Sequence, residues 1–192
     1  VICTKTHVDF LNCRAVTKRR VDIHGAFTLT AKVTGQSKEH MISGAEGGGL
    51  QTKVKTTEVS SLVGCAQQNF SVNETLELAQ NKPQPEALIR AQGAAVLTEY
   101  KAIANKLIAK GELQLKLLYL TNIEDGSMDT MEYSIPISQI LDMDGLDDDC
   151  ICCARFELLS LECQIEAGSV EEPAAFEVEC RLCAHACAYR TS

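Results

Sequence analysis

An alternation of apolar and mostly polar side chains between residues 21 and 33 limits what this chain can fold into more than any other feature. A period of two places successive side chains on opposite faces of a β-strand, so this pattern predicts a long strand with one buried face. The same period recurs over residues 107–121 and 176–188, and together the three segments predict an all-β fold. The apolar face of the first segment consists of Val21, Ile23, Gly25, Phe27, Leu29, Ala31 and Val33.

Two of these segments align with each other and indicate an internal repeat, with Gly25 placed over Gly111. Glycine inside a long strand usually marks a bulge, a bend or a close approach of another backbone, so Gly25, Gly93 and Gly111 are predicted bend points. The alignment also places four pairs of core candidates over each other: Val21 and Leu107, Phe27 and Leu113, Leu29 and Leu115, Val33 and Tyr119.

Three long hairpins account for most of the chain, and they pair 3–16 with 20–34, 88–103 with 106–121, and 150–166 with 174–189. The connections 35–87 and 122–149 each contain one further strand-like stretch, and residues 123–126 end in Asp-Gly, which predicts a tight turn. Helix is limited to single turns at 76–80, 85–88 and 138–141. We therefore expect tandem long β-hairpin units packed as β-sandwich-like domains, with an N-terminal β unit over 1–98 and a second β domain over 99–192.

The charge balance excludes some partners. A net charge of −8 argues against a nucleic-acid binder, because phosphate contacts need a basic surface, and the short basic run Lys18-Arg19-Arg20 predicts a solvated turn. No stretch of about 18 apolar residues occurs, so we expect no membrane span. No signal peptide pattern is visible, and because residue 1 is Val we expect the chain to come from a longer protein.

The cysteines offer the sharpest chemistry in the sequence. Two C-x-x-C knuckles would be a strong zinc signal, but in the knuckle Cys180–Cys183 the two sulfurs point to opposite faces of a strand, which is wrong for a shared metal. Cys183, His185 and Cys187 share a face, which leaves a soft-metal site open beside cross-strand disulfides between the last two strands and a plain face of small side chains. We assign no metal ligand. The ten cysteines are at positions 3, 13, 65, 150, 152, 153, 163, 180, 183 and 187.

Carboxylates crowd the connection between residues 142 and 149. A calcium-binding EF-hand loop would need its glycine later than Gly145, so that motif fails, and an irregular calcium site stays open beside a solvated acidic loop. No Ser/His/Asp or Cys/His arrangement is legible, so we expect no catalytic residue, no cofactor and no enzyme activity. The carboxylates are Asp142, Asp144, Asp147, Asp148 and Asp149.

The second half of the chain resembles a known family, the SPOCS domain, which is named for structural proteins in the outer coat of spores and occurs in spore coat morphogenesis proteins of clostridia. The resemblance covers about residues 99–191, and a weaker one lies at 11–26. An acidic run and two strands that end in Ala188-Tyr189-Arg190 complete it. Its motifs are Asn105–Leu113, Leu117–Leu120, Tyr133–Ile140 and Leu141–Gly145.

The resemblance implies a structural, non-enzymatic role in spore coat or envelope assembly in Firmicutes, through contacts with other coat or envelope proteins or with a second copy. It implies the mother-cell cytoplasm during assembly and the spore coat afterwards. Some relatives add a LysM module, which this chain lacks. The alternatives are an adaptor that binds a single coat protein or envelope polymer without self-assembly, and a cysteine-based metal or redox protein.

Long strands with free edges are templates for pairing with another chain, which supports self-assembly. The charge pattern adds a specific hypothesis: the basic run Lys18-Arg19-Arg20 of one copy meets the acidic run Asp147–Asp149 of another.

Overall fold

The fold is given by a computed structural model, which describes residues 2–35, 37, 38, 40, 42–166, 168 and 174–191, apart from the side chain of Cys3. The predicted all-β class is confirmed. Every pairing is antiparallel, and the three sheets have the strand orders β1–β2, β3–β8–β7 and β4–β5–β6. The strands are β1 (Ile2–Thr17), β2 (Arg20–Val33), β3 (Ser60–Glu77), β4 (Ala87–Ile103), β5 (Lys106–Asn122), β6 (Ser127–Asp142), β7 (Ile151–Glu166) and β8 (Ala175–Thr191).

The three predicted hairpins are present as β1–β2, β4–β5 and β7–β8. The tight turn at residues 123–126 is present as well, with Gly126 at φ 75°. The predicted helical turns at 76–80, 85–88 and 138–141 are wrong: β3 continues to Glu77, β4 begins at Ala87, residues 138–141 lie within β6, and the residues between β3 and β4 form no helix. Pairing along full-length neighbouring strands outweighs the weak local preference for a single helical turn. No helix long and apolar enough to cross a membrane occurs in the described part of the chain.

The chain forms two compact units, Val1–Thr56 and Thr57–Ser192. Residues 57–98, which the sequence grouped with the N-terminal unit, therefore lie in the same compact unit as residues 99–192. Strand pairing explains this grouping, because β3 joins β8 and β4 joins β5. The β3–β8 pairing links segments that are far apart in the chain, and such long-range pairing leaves no local mark on a sequence.

In the second unit, the sheets β3–β8–β7 and β4–β5–β6 pack face to face as a β-sandwich. Their central strands, β5 and β8, supply most of the core through alternate residues. The sheets approach more closely along β4 and β7 than along β3 and β6. The rings of Tyr119 and Phe176 lie 5.5 Å apart in this core. Fully buried side chains include Leu107, Leu113, Leu117 and Tyr119 of β5, and Phe176, Cys180 and Leu182 of β8.

Gly111 confirms the predicted close approach of a backbone to a strand glycine. A Cβ atom on Gly111 would lie 2.2 Å from the carbonyl oxygen of Val96 and 2.9 Å from the ring of Phe156. A β-bulge between Leu97 and Glu99 lies directly across the β4–β5 ladder from this glycine. Only glycine therefore fits where β4 bends over β5 beneath the opposite sheet.

Candidate functional site

The apolar face predicted for residues 21–33 is exposed to solvent. Phe27 and Leu29 are 69% and 62% exposed. Directly opposed residues of an antiparallel ladder share a face, so Val8, opposite Phe27, and Leu11, opposite Gly25, extend this face onto β1. We call this surface the ribbon face. Its exposed large side chains are Ile2, Val8, Leu11, Val21, Ile23, Phe27, Leu29 and Val33.

The opposite face of the β1–β2 hairpin is mostly polar, apart from the exposed Phe10, and some of its polar groups pair with each other. Thr28 donates a hydrogen bond from its hydroxyl to Asp9 (2.9 Å), and Arg20 forms an ion pair with Asp22 (3.1 Å). An isolated two-stranded hairpin is marginally stable in water, and a contiguous exposed apolar face usually marks an interaction site. The ribbon face is therefore a candidate interface.

The repeat found in the sequence has a structural counterpart in the two turns. Two-residue turns join Thr17 to Arg20 in the first hairpin and Ile103 to Lys106 in the second. In each hairpin the sixth residue after the turn is the aligned glycine, and each glycine pairs with a leucine: Gly25 with Leu11, and Gly111 with Leu97. The β5 face that corresponds to the ribbon face lies in the core of the second unit.

The acidic connection between β6 and β7 exposes the side chains of Asp142, Asp144, Asp148 and Asp149, as expected for a solvated acidic loop, while its backbone has defined contacts. The side-chain oxygen of Asn105 accepts a hydrogen bond from the backbone amide of Gly145 (2.9 Å). The backbone amide of Asn105 donates to the carbonyl of Leu146 (2.9 Å). Met143 and Leu146 are buried. These apolar side chains alternate with the aspartates and hold the connection against the end of the sandwich.

Asp147 belongs to a local network at this end of the sandwich. Its carboxylate accepts hydrogen bonds from the thiol of Cys150 (3.1 Å) and from Arg190, which also donates to the carbonyl of Gly145 (3.3 Å). The Cys150 hydrogen bond and the Arg190 charge hold the pKa of Asp147 below its usual value. Asp148 and Asp149 are exposed, and these two residues present charge outward.

Neither the soft-metal site nor the irregular calcium site has a cluster of ligands among the described residues. Within the described residues, no three His, Cys, Asp or Glu side chains are grouped so that they could hold a metal ion. In the soft-metal set, Cys187 is bonded to Cys65, and His185 lies 3.2 Å from the carboxylate of Glu157. The pKa of His185 is lowered, mainly by burial.

The Cys65–Cys187 disulfide joins β3 to β8, whereas the sequence interpretation considered bridges between the last two strands. Cys153 of β7 lies opposite Cys187 on its other side, so three cysteines form one row across the sheet. Cys180 and Cys183 lie on opposite faces of β8, as the strand pattern predicted. Burial raises the pKa of both thiols and raises that of Cys163 to about 11.

An open depression of about 710 Å³ lies along the β4–β5–β6 sheet, where Gln92, Gln114 and Glu132 are among the lining residues. Lys116 donates a hydrogen bond to the Glu132 carboxylate (2.6 Å) and holds the pKa of Glu132 below its usual value. A carboxyl group that is held ionised is a poor general acid at neutral pH.

Sequence reasoning missed both the exposure of the ribbon face and the cysteine row. The row depends on β3, which the sequence reduced to a short strand because Gln67, Gln68 and Asn69 interrupt its alternation. Once β3 is extended to Cys65, the pairing of β3 with β8 brings Cys65 and Cys187 together.

One family model matches the chain: residues 84–166 match the family described as SipL, SPOCS domain. The matched segment contains β4, β5, β6 and β7, and it ends where β7 ends. The SPOCS resemblance is therefore confirmed, over a segment that begins and ends earlier than predicted. No curated protein and no solved structure gives a significant match.

Proposed function

We propose that this chain, whose residues 84–166 match the SPOCS domain family, is a structural, non-enzymatic module of spore coat or envelope assembly. It acts through protein–protein contacts with other coat or envelope proteins and with a second copy of itself. The family match supports a role in sporulation. The proposed places of action are the mother-cell cytoplasm during assembly and the spore coat afterwards.

The single observation that carries the contact mechanism is the exposed ribbon face. In the second unit, the corresponding face of β5 packs against an apolar face of another sheet. The occupant that suits the ribbon face is therefore another apolar β-face. A second copy supplies one, because a two-fold axis would place two identical ribbon faces against each other.

The area of the ribbon face is sufficient for such a dimer. Strand β2 has 14 residues. At about 3.4 Å per residue and about 5 Å per strand, the face measures about 45 Å by 10 Å. Two stacked faces bury on the order of 1,000 Å², which is what a specific interface needs. Phe27 and Leu29, on the strand with the strictest alternation, serve as its apolar anchors.

Four carboxyl groups of the second unit are poor candidates for general acids. The pKa values of Asp125, Asp129, Glu132 and Asp147 are lowered, mainly by hydrogen bonds from Ser127, Lys82, Lys116 and Cys150 respectively. A general acid near neutral pH needs a carboxyl group whose pKa is raised.

The experiment that tests the proposal is molar mass measured by light scattering across a concentration series, in reductant so that cysteines cannot cross-link the chains. Leu29→Glu places a charge on the ribbon face. The matched control is Thr30→Glu, one residue further along β2 and on the opposite face, across from Lys5. We expect the wild type and Thr30→Glu to rise towards twice the monomer mass, and Leu29→Glu to remain a monomer.

A wild-type chain that stays a monomer at every concentration would overturn self-association and favour the adaptor that recruits a single partner. Equal association of wild type and Leu29→Glu would overturn the ribbon face as the contact.

A further inference from the structure

Three cysteines lie on one row of the β3–β8–β7 sheet, with Cys187 of the central strand flanked by Cys65 on β3 and Cys153 on β7. Directly opposed residues share a face, so the three side chains project from the same side of the sheet. Cys65 and Cys187 form a disulfide, whereas Cys153 is a free and exposed thiol. A disulfide therefore has a third sulfur beside it.

We propose that Cys65, Cys187 and Cys153 form a thiol–disulfide exchange site, in which Cys187 pairs with either neighbour and the displaced thiol takes an external disulfide as its reactant. This proposal depends on the register of β3, β8 and β7 and is independent of a role in the spore coat.

Strand geometry supplies the direction of attack that exchange needs. A thiolate attacks a disulfide sulfur and displaces the other sulfur, through a mixed-disulfide intermediate. Cys153 lies on the side of Cys187 that faces away from Cys65. Its thiolate therefore approaches Cys187 Sγ from behind the bond that breaks, and Cys65 is the leaving group.

The exchange step is balanced without an oxidant. Cys153 loses its proton to solvent, its sulfur forms a bond to Cys187 Sγ, and the Cys65–Cys187 bond breaks with its electron pair on Cys65, which then takes up a proton. In the second step, the free thiolate attacks an external disulfide, keeps one half as a mixed disulfide and releases the other half as a thiolate. The first step moves the reactive thiol from β7 to β3, the two edge strands of this sheet.

The row also excludes wrong pairings. Cys65 and Cys153 are two strands apart, about 10 Å, which is well beyond the Cβ separation of about 4 Å that a disulfide needs. Cys183 lies on the same strand face as Cys187, but it is buried, and that burial raises its thiol pKa and disfavours the reactive thiolate. Cys13, exposed in the first unit, is off the row and serves as a control.

The test maps disulfides after the whole chain has been incubated in a buffer of reduced and oxidised glutathione. Free thiols are blocked with N-ethylmaleimide in acid, and the unreduced peptides are identified by mass spectrometry. In the wild type we expect both Cys65–Cys187 and Cys153–Cys187, because both are directly opposed pairs of one sheet. Glutathione should be found on Cys153 in the first form and on Cys65 in the second.

Variants sharpen the test. Cys65→Ser should give the Cys153–Cys187 disulfide, Cys153→Ser should give Cys65–Cys187, and Cys187→Ser should leave both flanking cysteines available to glutathione. Cys13→Ser should match the wild type at the row. Circular dichroism shows whether each variant keeps its β-structure, and if one does not, the wild-type map alone decides. Absence of the Cys153–Cys187 disulfide from the wild type at exchange equilibrium overturns the proposal.

Discussion

The hairpins β1–β2 and β4–β5 share one sequence pattern and have opposite surroundings. Phe27 and Leu29 align with Leu113 and Leu115, yet the first pair is 69% and 62% exposed and the second pair is 0% and 2% exposed. Both hairpins have a two-residue turn and a glycine paired with a leucine at the same distance from that turn. The alternation therefore specifies a strand and its apolar face, but not the surface that covers this face.

In the second unit, the cover for β5 comes from β8 and β7, and β6 extends the sheet on the other edge of β5. In the first unit, the ribbon face is exposed to water, and burial of each of its CH₂ groups in an interface would stabilise the interface by about 0.8 kcal/mol. The difference explains why we assign the first hairpin to association and the second to the domain core.

The largest expected effect comes from the two aligned glycines. Gly111→Ala should lower the free energy of unfolding by about 3 kcal/mol or more, because the new methyl group clashes with a backbone oxygen and with the ring of Phe156. Gly25→Ala meets Leu11 at 3.1 Å and the Phe10 oxygen at 3.2 Å, and should cost about 1 kcal/mol. Urea unfolding of both variants measures the difference, and equal losses would contradict the comparison.

The aligned leucines should separate stability from association. Leu115→Ala removes a buried side chain and should cost about 2–5 kcal/mol in urea unfolding of the second unit. Leu29→Ala removes an exposed side chain and should leave that unit unchanged, while it weakens self-association. If Leu29→Ala were as destabilising as Leu115→Ala in dilute monomer, the ribbon face would be part of a core.

Tyr119, which aligns with Val33, should show the cost of a buried hydroxyl. Its hydroxyl has no hydrogen-bond partner among the described residues, and its pKa is raised by burial and by Asp129. Tyr119→Phe should therefore stabilise the chain by about 1 kcal/mol, since it removes an unsatisfied buried group. Val33→Thr, at the exposed counterpart, should have little effect on thermal unfolding. A loss of stability in Tyr119→Phe would indicate that the hydroxyl is satisfied.

The Asp147–Arg190 network should make the second unit sensitive to acid. The lowered pKa of Asp147 means that its contribution to stability is fully present above its ordinary value of 3.8 and is lost as the pH falls through its folded value. Asp147→Asn should therefore flatten the dependence of the unfolding midpoint on pH below about 4. Asp22→Asn, in the exposed Arg20–Asp22 ion pair of the β1–β2 hairpin, should have little effect on stability. An equal change in the pH dependence of unfolding for Asp147→Asn and Asp22→Asn would contradict this contrast.

The smallest effect is expected from charge. If Lys18, Arg19 and Arg20 of one copy meet the acidic run Asp147–Asp149 of another, reversal of the three basic charges should weaken association several-fold at low salt. Screening should remove the difference at about 1 M salt, where the Debye length is about 3 Å. Association that is unchanged at low salt would exclude the hypothesis.

Much of the fold was predictable from sequence because the strands of β2, β5 and β8 alternate cleanly and the turns carry local signals such as Asp125-Gly126. β3 was harder to predict, because it is an edge strand whose residues Gln67, Gln68 and Asn69 are exposed in succession. The exposure of Phe27 could not be predicted, since it depends on whether another sheet covers this face and not on the sequence of β2 itself. The cysteine row needs the register of two long-range pairings, which the sequence does not specify locally.

The central claim is that the face of β1–β2 is covered by association and the equivalent face of β5 by the fold. Amide hydrogen exchange, followed by mass spectrometry at low and high protein concentration in reductant, tests it directly. We predict that protection of peptides from β1 and β2 rises with concentration, while protection of peptides from β4 and β5 stays constant. Protection of β1 and β2 that is the same at both concentrations would contradict the account.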